Sequence, residues 1–314
     1  MGILHCSCLG GGVIGASWAA LFLASGRSVS VFDPAPDAEA SVKKYIETAW
    51  PTLTQLGLTK QGNPDNIQFH NSAAAAVEGA DFIQENVPER LAIKCATFTE
   101  IEPVLKEGAI VASSASGLTL SQMQEGWQNP SHFVLGHPFN PPHLIPLVEV
   151  LGNEKTQEGV IEQARAFYES IGKVTIKLNK EKNGHVANRL QAAIWREAIS
   201  LVVEGVASVE DVDKAVWAGP GLRWATMGPT MLFHLGAGAG GLQSFFDHFS
   251  DTFNGWWDDL GQTHLDENVI KTIIAGVTDE ADGQSVEALS AKRDALLTAI
   301  QKATKPLRDQ DPSQ

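Results

Sequence analysis

The sequence has few cysteines and no excess of basic residues, and each shortage excludes a class of function. Cys6, Cys8 and Cys95 form neither a C-x-x-C pair nor a histidine-rich cluster, so we predict no metal site and a reducing, cytoplasmic environment. Lys plus Arg number 23 against 37 Asp plus Glu, a net charge of −14 without any basic run, which argues against nucleic acid and anionic membranes as partners. No apolar stretch approaches the ~20 residues of a membrane span. The start of the chain also lacks the basic region and cleavage site of a signal peptide.

The chain is long enough for two domains, and its patterns divide accordingly. Residues 3–9, 14–25 and 28–32 read as strand, helix and strand, which is typical of a parallel sheet. Further strands are predicted at 82–85, 109–113, 133–136, 147–151 and 174–178, and helices near 39–50, 91–104 and 158–171. The later sequence is helical. We therefore predict an α/β Rossmann-like domain over residues 1–181, followed by an all-helical domain over 182–314.

A glycine-rich loop follows the first predicted strand. Gly10-Gly-Gly-Val-Ile-Gly15 matches G-x-G-x-x-G between a strand and a helix, the context that gives the motif its meaning. In this pattern the glycines allow a tight turn, the approach of a pyrophosphate and close helix packing, while the helix N-terminus supplies N–H donors. The expected cofactor contacts are Gly10, Gly12, Val13, Ile14 and Gly15.

The second predicted strand is followed by Asp33, 18 residues after Gly15. A carboxylate there accepts hydrogen bonds from the adenosine ribose and repels a 2′-phosphate, which favours NAD over NADP. A flavin and a merely glycine-rich turn are the alternatives that the residues leave open.

A histidine and a glutamate are placed to meet across a predicted hairpin. If the strands around the proline-rich segment after His137 pair antiparallel, Glu149 lies opposite His137. A carboxylate on one imidazole nitrogen orients the ring and stabilises the imidazolium formed when it removes a proton. Beside a nicotinamide cofactor, that pair favours alcohol oxidation. The alternative for His137 is a structural histidine near a turn. His132 and His143 have no comparable partner and are interpreted as structural or solvated.

Several motifs occur together in the order of one known family. They are the loop with Asp33, Phe82-Ile-Gln-Glu85, Pro88-Glu89-Arg90-Leu91 with Lys94, Ser113-Ser-Ala-Ser116-Gly-Leu, Gly136-His137-Pro-Phe139-Asn-Pro, Leu147-Val-Glu149 and Asn188-Arg189-Leu190. In these motifs the chain resembles the 3-hydroxyacyl-CoA dehydrogenase superfamily, in the branch that acts on free 3-hydroxy acids. The resemblance runs from about Leu9 to about Phe253.

This resemblance implies an NAD-dependent oxidoreductase that converts a 3-hydroxy acid to the 3-keto acid and forms a homodimer. It makes His137 the general base and Glu149 its partner, and it assigns the substrate oxygen to Ser116 and Asn188. The resemblance also implies that Glu89 and Lys94 contact the cofactor. From the residues alone, Glu89 and Lys94 would be a solvated pair at a helix end, and Ser116 an ordinary loop serine.

Two residues depart from the family pattern. Relatives commonly have Thr at the position of Ala115 and Phe at that of His185. Ala115 removes a hydroxyl beside Ser116, and His185 adds a titratable ring near Asn188. These changes leave the proposed chemistry intact but alter the polarity expected around it.

Aromatic residues suggest which hydroxy acid is oxidised. Trp195 is seven residues after Asn188, so on a helix it lies on the same face, roughly 10 Å along the axis. Phe139 can supply a second aromatic wall. Such walls bind quaternary ammonium through cation–π attraction, with each contact contributing about 0.5–2 kcal/mol. In the family branch that the chain resembles, an aromatic pair at these two positions is similar to that of relatives that oxidise L-carnitine. The resemblance therefore favours L-carnitine, with core packing of both rings as the alternative.

A second substrate remains open. The chain also resembles relatives that oxidise L-gulonate, in the motifs Pro141-Pro142, Asn188-Arg-Leu-Gln191, Gly221-Leu-Arg223 and Gly228-Pro229. Arg223 could pair with a substrate carboxylate or hold a domain or subunit contact, and Trp224 could line the same cavity. A 3-hydroxyacyl-CoA substrate, and a non-catalytic NAD-binding protein, are the further alternatives.

Overall fold

The computed structural model describes residues 2–308, which form two compact units. One contains the described residues up to Ala187 together with Asp294–Lys302, and the other contains Asn188–Arg293 and the described residues from 303 onward. The first unit holds the whole sheet, whereas the second is built of helices. The predicted fold class, a Rossmann-like domain followed by a helical one, is confirmed. The exact domain boundary at 181 stays a prediction.

Eight strands form a single sheet in the order β3-β2-β1-β4-β5-β6-β7-β8. They are β1 (His5–Leu9), β2 (Ser28–Phe32), β3 (Ile67–Phe69), β4 (Phe82–Glu85), β5 (Ile110–Ser113), β6 (Phe133–Pro138), β7 (Leu147–Leu151) and β8 (Val174–Lys177). Neighbouring strands are parallel except β6 and β7, which are antiparallel. From β1 the following strands are added on one side, up to β3, and from β4 onward they are added on the other side. In such sheets ligands bind at the carboxyl ends of the two strands at this switch point, here β1 and β4.

Helices cover the sheet and make up the second unit. In the first unit they are α1 (Val13–Ala24), α2 (Ala38–Gln55), α3 (Ala73–Val77), α4 (Leu91–Ile101), α5 (Leu120–Met123) and α6 (Val160–Ser170). The later helices are α7 (Ala187–Val203), α8 (Val209–Ala218), α9 (Pro220–Trp224), α10 (Pro229–Gly236), α11 (Gly241–Asp259), α12 (Glu267–Ala281) and α13 (Val286–Arg308).

Helix α1 is the most deeply buried helix of the first unit. Every residue from Gly15 to Ala24 is buried, which explains why the segment is apolar on all sides rather than amphipathic. Trp18 stacks on Phe22 with ring centroids 5.3 Å apart, and both lie in the core between helix and sheet. The glycine-rich loop that precedes α1 is therefore fixed to a rigid element.

The connection between β6 and β7 is held in place by Lys173. The Lys173 ammonium donates to the carbonyls of Pro142 and Ile145, and it lies 4.9 Å from the centroid of the Trp18 ring. Burial lowers the pKa of Lys173 to about 7. These contacts fix the turn of the predicted hairpin, so that its two strands keep one register.

His143 lies in the same connection and is structural, in agreement with the sequence-based interpretation. Its Nδ1 is 2.9 Å from the Ser17 hydroxyl, which also accepts the His143 backbone N–H at 2.8 Å. His132 contacts the Ser131 hydroxyl at 3.1 Å.

Most predicted elements are present, but some boundaries were wrong. Strand β3 was missed because it is a three-residue edge strand whose pattern is too short to recognise. The helix predicted over 91–104 ends at Ile101, since Pro103 ends its regular hydrogen bonding and the chain continues as a 3₁₀ turn. Among residues 2–308, none of the helices combines the length and apolar character needed to cross a bilayer.

Candidate active site

The glycine-rich loop lies at the carboxyl end of β1, beside β4. Gly10 has a φ of +90°, and a Cβ there would lie 2.6 Å from the Asn86 carbonyl oxygen. At Gly15 a Cβ would lie 1.8 Å from the Gly10 carbonyl oxygen. Both positions therefore require glycine to close the loop onto the strand and helix.

Gly12 is different, because a Cβ there would meet nothing within 4 Å. It occupies the N-cap of α1, whose first turn has neither a side-chain cap nor an acidic residue. No side chain of the protein thus caps the N–H groups of the first turn of α1, and the space in front of Gly12 is open. Such a helix start fits the pyrophosphate of a dinucleotide. Val13 is exposed and Ile14 half-buried in the same first turn.

Asp33 is fixed next to this loop by backbone hydrogen bonds. Its Oδ2 accepts the Gly11 N–H at 2.7 Å, and its Oδ1 accepts the Ala35 N–H at 2.9 Å. The carboxylate therefore stands where the sequence pattern places the acid that recognises a ribose.

His137 and Glu149 face each other across β6 and β7, in the predicted register. His137 Nδ1 is 2.8 Å from Glu149 Oε2, and both side chains are buried. The other oxygen, Oε1, accepts the N–H groups of Val186 at 2.9 Å and Ala187 at 3.0 Å.

These contacts determine the charge of Glu149 and the tautomer of His137. Burial raises the pKa of Glu149, but the hydrogen bonds from His137, Ala187 and Val186 outweigh it and the pKa is lowered overall. An ionised Glu149 can only accept, so Nδ1 of His137 is the donor in this hydrogen bond and the ring's other nitrogen, Nε2, points away from Glu149. His137 is thus prepared to accept a proton at Nε2.

Ser116 lies in a loop after β5 that is organised by Glu89. Glu89 Oε1 accepts three consecutive backbone N–H groups, from Ser116 at 3.1 Å, Gly117 at 2.8 Å and Leu118 at 3.0 Å. Sequence reasoning did not foresee this support of the serine loop. That Glu89 also contacts the cofactor stays a prediction.

Lys94 is buried rather than solvated, so the interpretation from the residues alone was wrong for it. Its ammonium donates to Glu85 Oε1 at 2.7 Å, to Glu85 Oε2 at 3.0 Å and to the Val87 carbonyl at 3.2 Å. Ser113 also donates to Glu85 Oε2, at 2.6 Å. Lys94 can therefore donate to a cofactor only by exchanging one of these acceptors.

Glu85 is the residue of this cluster that sequence reasoning missed. Its side chain is fully buried at the carboxyl end of β4. The available signal was a carboxylate at the end of a predicted strand, with a lysine nine residues later. Because a buried charge needs a partner, that spacing could have indicated an ion pair between Glu85 and Lys94.

Matches to known proteins agree with this geometry. The model for the 3-hydroxyacyl-CoA dehydrogenase NAD binding domain matches residues 5–182, and the model for the C-terminal domain of the same enzymes matches 184–272. The chain belongs to the 3-hydroxyacyl-CoA dehydrogenase family. Like the family, it is an NAD-dependent oxidoreductase that acts on a CH–OH group.

Relatives in this family extend over nearly the whole chain. The L-carnitine dehydrogenase of Streptomyces coelicolor is 42% identical over 98% of this chain and 96% of its own length. That of Bacillus cereus is 42% identical over 93% and 90%. A solved structure, an NAD+-dependent 5-formyl-3-hydroxy-2-methylpyridine 4-carboxylic acid 5-dehydrogenase, superposes with a TM-score of 0.82 at 29% identity, covering 96% of this chain and 99% of that one.

The family's cofactor fits the residues of the first unit. The free helix start at Gly12 and the fixed carboxylate of Asp33 suit the pyrophosphate and a ribose, respectively. When bound, NAD supplies the acceptor for a hydride. Within residues 2–308, no cluster of three or more His, Cys, Asp or Glu side chains is arranged to hold a metal ion.

The remaining predicted residues are placed as follows. Phe139, one residue beyond β6, is half-buried. In the second unit, Asn188 is half-buried on α7 and Trp195 is 54% exposed on the same helix. On α9, Arg223 is exposed and Trp224 half-buried. Phe139 and Trp195 therefore both keep part of their surface exposed, and core packing stays the alternative for them. Their roles stay predictions.

Proposed function

We propose that this family member oxidises the 3-hydroxyl of L-carnitine to 3-dehydrocarnitine, with NAD as oxidant. The observation that carries the proposal is the 42% identity to L-carnitine dehydrogenases over nearly the full chain. The buried His137–Glu149 pair supports the reaction type, because it supplies a base with a free ring nitrogen.

Oxidation removes a proton from the 3-hydroxyl of the substrate and a hydride from its C3. His137 Nε2 would take the proton of the 3-hydroxyl, and NAD, when bound, would supply the acceptor for the hydride lost from C3. The C–O single bond becomes a carbonyl. Glu149, ionised and hydrogen-bonded to Nδ1, stabilises the imidazolium that results.

Ser116 and Asn188 are assigned to hydrogen bonding with the substrate oxygen. For Ser116, the three N–H groups bound by Glu89 support this role, since they hold the serine loop in one conformation. The assignment of Asn188 comes from the resemblance in its Asn-Arg-Leu motif.

Phe139 and Trp195 are assigned to the trimethylammonium group. A quaternary ammonium has no N–H to donate, so it is recognised by aromatic faces rather than by hydrogen-bond acceptors. The partial exposure of both rings supports this, because a core aromatic would have no face left for a ligand. Arg223, exposed on α9, is assigned to the carboxylate, with Trp224 beside it in sequence.

Substrate choice tests this assignment. We expect kcat/KM for L-carnitine to exceed the values for L-gulonate and 3-hydroxybutyryl-CoA by at least tenfold. Trp195→Ala should lower kcat/KM for L-carnitine about tenfold, mainly through KM, because a lost cation–π contact of about 1.4 kcal/mol is a factor of ten. Steady-state NADH formation measures each value.

Trp217→Ala is the matched control, since Trp217 is a 66% exposed tryptophan on α8 that is assigned no role. It should retain the wild-type kcat/KM. A preference for L-gulonate, with Trp195→Ala harmless, would reject L-carnitine as the substrate and the aromatic site with it.

The second unit is assigned to homodimer formation. Helix α11 exposes Phe246, Phe249, Trp256 and Trp257 to about half or more of their surface. Exposed aromatic surface of this extent marks an interaction site. Light scattering should give twice the 33.6 kDa of the chain, and Phe249→Glu with Trp256→Glu should give the monomer mass. A wild-type mass of one chain would exclude the dimer.

We place the enzyme in the cytoplasm. All three cysteines are free thiols, two of them buried in β1, which suits a reducing compartment.

A further inference from the structure

His185 has a conformation and surroundings unlike those of the other histidines. Its φ is +48°, in the left-handed region that non-glycine residues seldom adopt. The side chain is buried, and its ring centroid lies 4.9 Å from that of His137, with 55° between the ring planes. A second imidazole is therefore packed directly against the proposed base.

The hydrogen bonds of His185 determine its tautomer. Nε2 lies 3.1 Å from the Ala115 carbonyl oxygen, which can only accept, so Nε2 carries the proton. Nδ1 is buried and has no hydrogen-bond partner. Burial lowers the pKa of His185; the Ala115 bond opposes this in part, and His137 lowers the pKa further. The ring is therefore neutral near pH 7 and leaves its Nδ1 lone pair unused.

The backbone on either side of His185 contacts the rest of the site. Gly184 N–H donates to the Ser116 carbonyl at 3.3 Å, whereas Val186 and Ala187 donate to Glu149 Oε1. Four consecutive residues thus connect the serine loop, the base and the carboxylate. The left-handed turn at His185 makes this possible, because it directs the ring toward Ala115 while the next two N–H groups reach Glu149.

We propose that His185 is a positioning residue that keeps the Ala115–Ser116 loop aligned with the His137–Glu149 pair. The proposal rests on the function assigned above. The Nε2–H bond fixes the carbonyl next to Ser116, and the ring face limits the tilt of the His137 imidazole. Both contacts act on groups that must be aligned with the substrate hydroxyl, so their loss lowers kcat more than it raises KM.

Two substitutions separate the hydrogen bond from the ring. His185→Phe introduces the ring that relatives commonly have here, but beside Ala115 instead of their Thr; it stays planar and has no donor for the Ala115 carbonyl. His185→Gln offers an N–H near the position of Nε2 without a titratable group. We expect His185→Phe to lower kcat at least tenfold, with less than a threefold change in the KM of either substrate. His185→Gln should recover most of that loss. His132→Phe, a histidine outside the site, is the matched control and should retain wild-type kcat.

Two outcomes of the kinetics would overturn the proposal. One is wild-type kcat in His185→Phe. The other is an equal loss in the Phe and Gln variants, which would mean that donation to Ala115 does not position the loop.

Nitrogen-15 NMR of the histidine rings tests the same arrangement without turnover. The signals of His185 are those that are missing from the spectrum of His185→Gln. At pH 7 they should show the neutral Nε2–H tautomer. A charged ring or an Nδ1–H tautomer would overturn the proposal even if the enzyme is fully active. If the wild type oxidises none of the hydroxy acids but the tautomer is as expected, the proposed function fails while the arrangement of His185 stands.

Discussion

Replacing His137 by alanine should lower kcat for L-carnitine oxidation by about 10³-fold while NAD still binds, because general acid–base catalysis contributes on the order of 10²–10⁴-fold. The ring supplies the acceptor for the hydroxyl proton at Nε2, and the described contacts of His137 concern its other nitrogen and its ring face. NAD affinity should stay within about threefold, since the glycine loop and Asp33 are unchanged. Stopped-flow NADH formation and NAD titration measure the two quantities.

Glu149→Gln should lower kcat by about 10²-fold with nearly the same side-chain volume. The amide can still accept one hydrogen bond, but it lacks the charge that stabilises the imidazolium. Because the pKa of Glu149 is lowered despite burial, the carboxylate stays ionised throughout the neutral range. Between pH 6 and 8 the wild-type rate should therefore not report the titration of Glu149.

His132→Ala is the control for this pair, because His132 is five residues before His137 and its described side-chain hydrogen bond is with the Ser131 hydroxyl. It should retain wild-type kcat. If His137→Ala kept more than about a tenth of kcat, a different group would have to be the base.

The His137–Glu149 register could be predicted because it depends on local sequence alone. Two apolar strands flank a short connection, and an antiparallel hairpin pairs residues symmetrically about its centre. The structure shows the same pairing. It also shows that Lys173 donates hydrogen bonds to the connection between the strands, which could not be predicted because the acceptors are backbone carbonyls.

The supporting contacts could not be predicted, because they join residues that are distant in sequence. Glu89 reaches N–H groups 27 to 29 residues away, and Ser113 donates to Glu85 across 28 residues. Such pairs become neighbours only when β4 and β5 are paired. The inward direction of His185 likewise follows from its positive φ, which residue type alone does not specify.

Gly12→Val should abolish measurable NAD binding while leaving the fold intact, an expected loss in affinity of at least 10²-fold. The backbone at Gly12 is in the extended region that valine adopts readily, and its Cβ would meet nothing within 4 Å of the protein. The side chain would instead fill the space before the N-terminus of α1, where a pyrophosphate must approach the N–H groups. The expected cost in the free energy of unfolding is about 1 kcal/mol, from the weaker N-cap alone.

The same substitution at Gly15 should act on the fold instead. Its Cβ would stand 1.8 Å from the Gly10 carbonyl oxygen, a backbone atom that cannot move without opening the loop. We expect a loss of about 3 kcal/mol or more in the free energy of unfolding, at the upper end of overpacking costs. Thermal unfolding with and without NAD separates the two variants, because a ligand raises the Tm only of a protein that binds it. Gly12→Val should unfold near the wild-type Tm without NAD and gain nothing from the cofactor, whereas Gly15→Val should unfold well below it. A wild-type rise in Tm with NAD for Gly12→Val would show that the pyrophosphate does not approach the chain at this glycine.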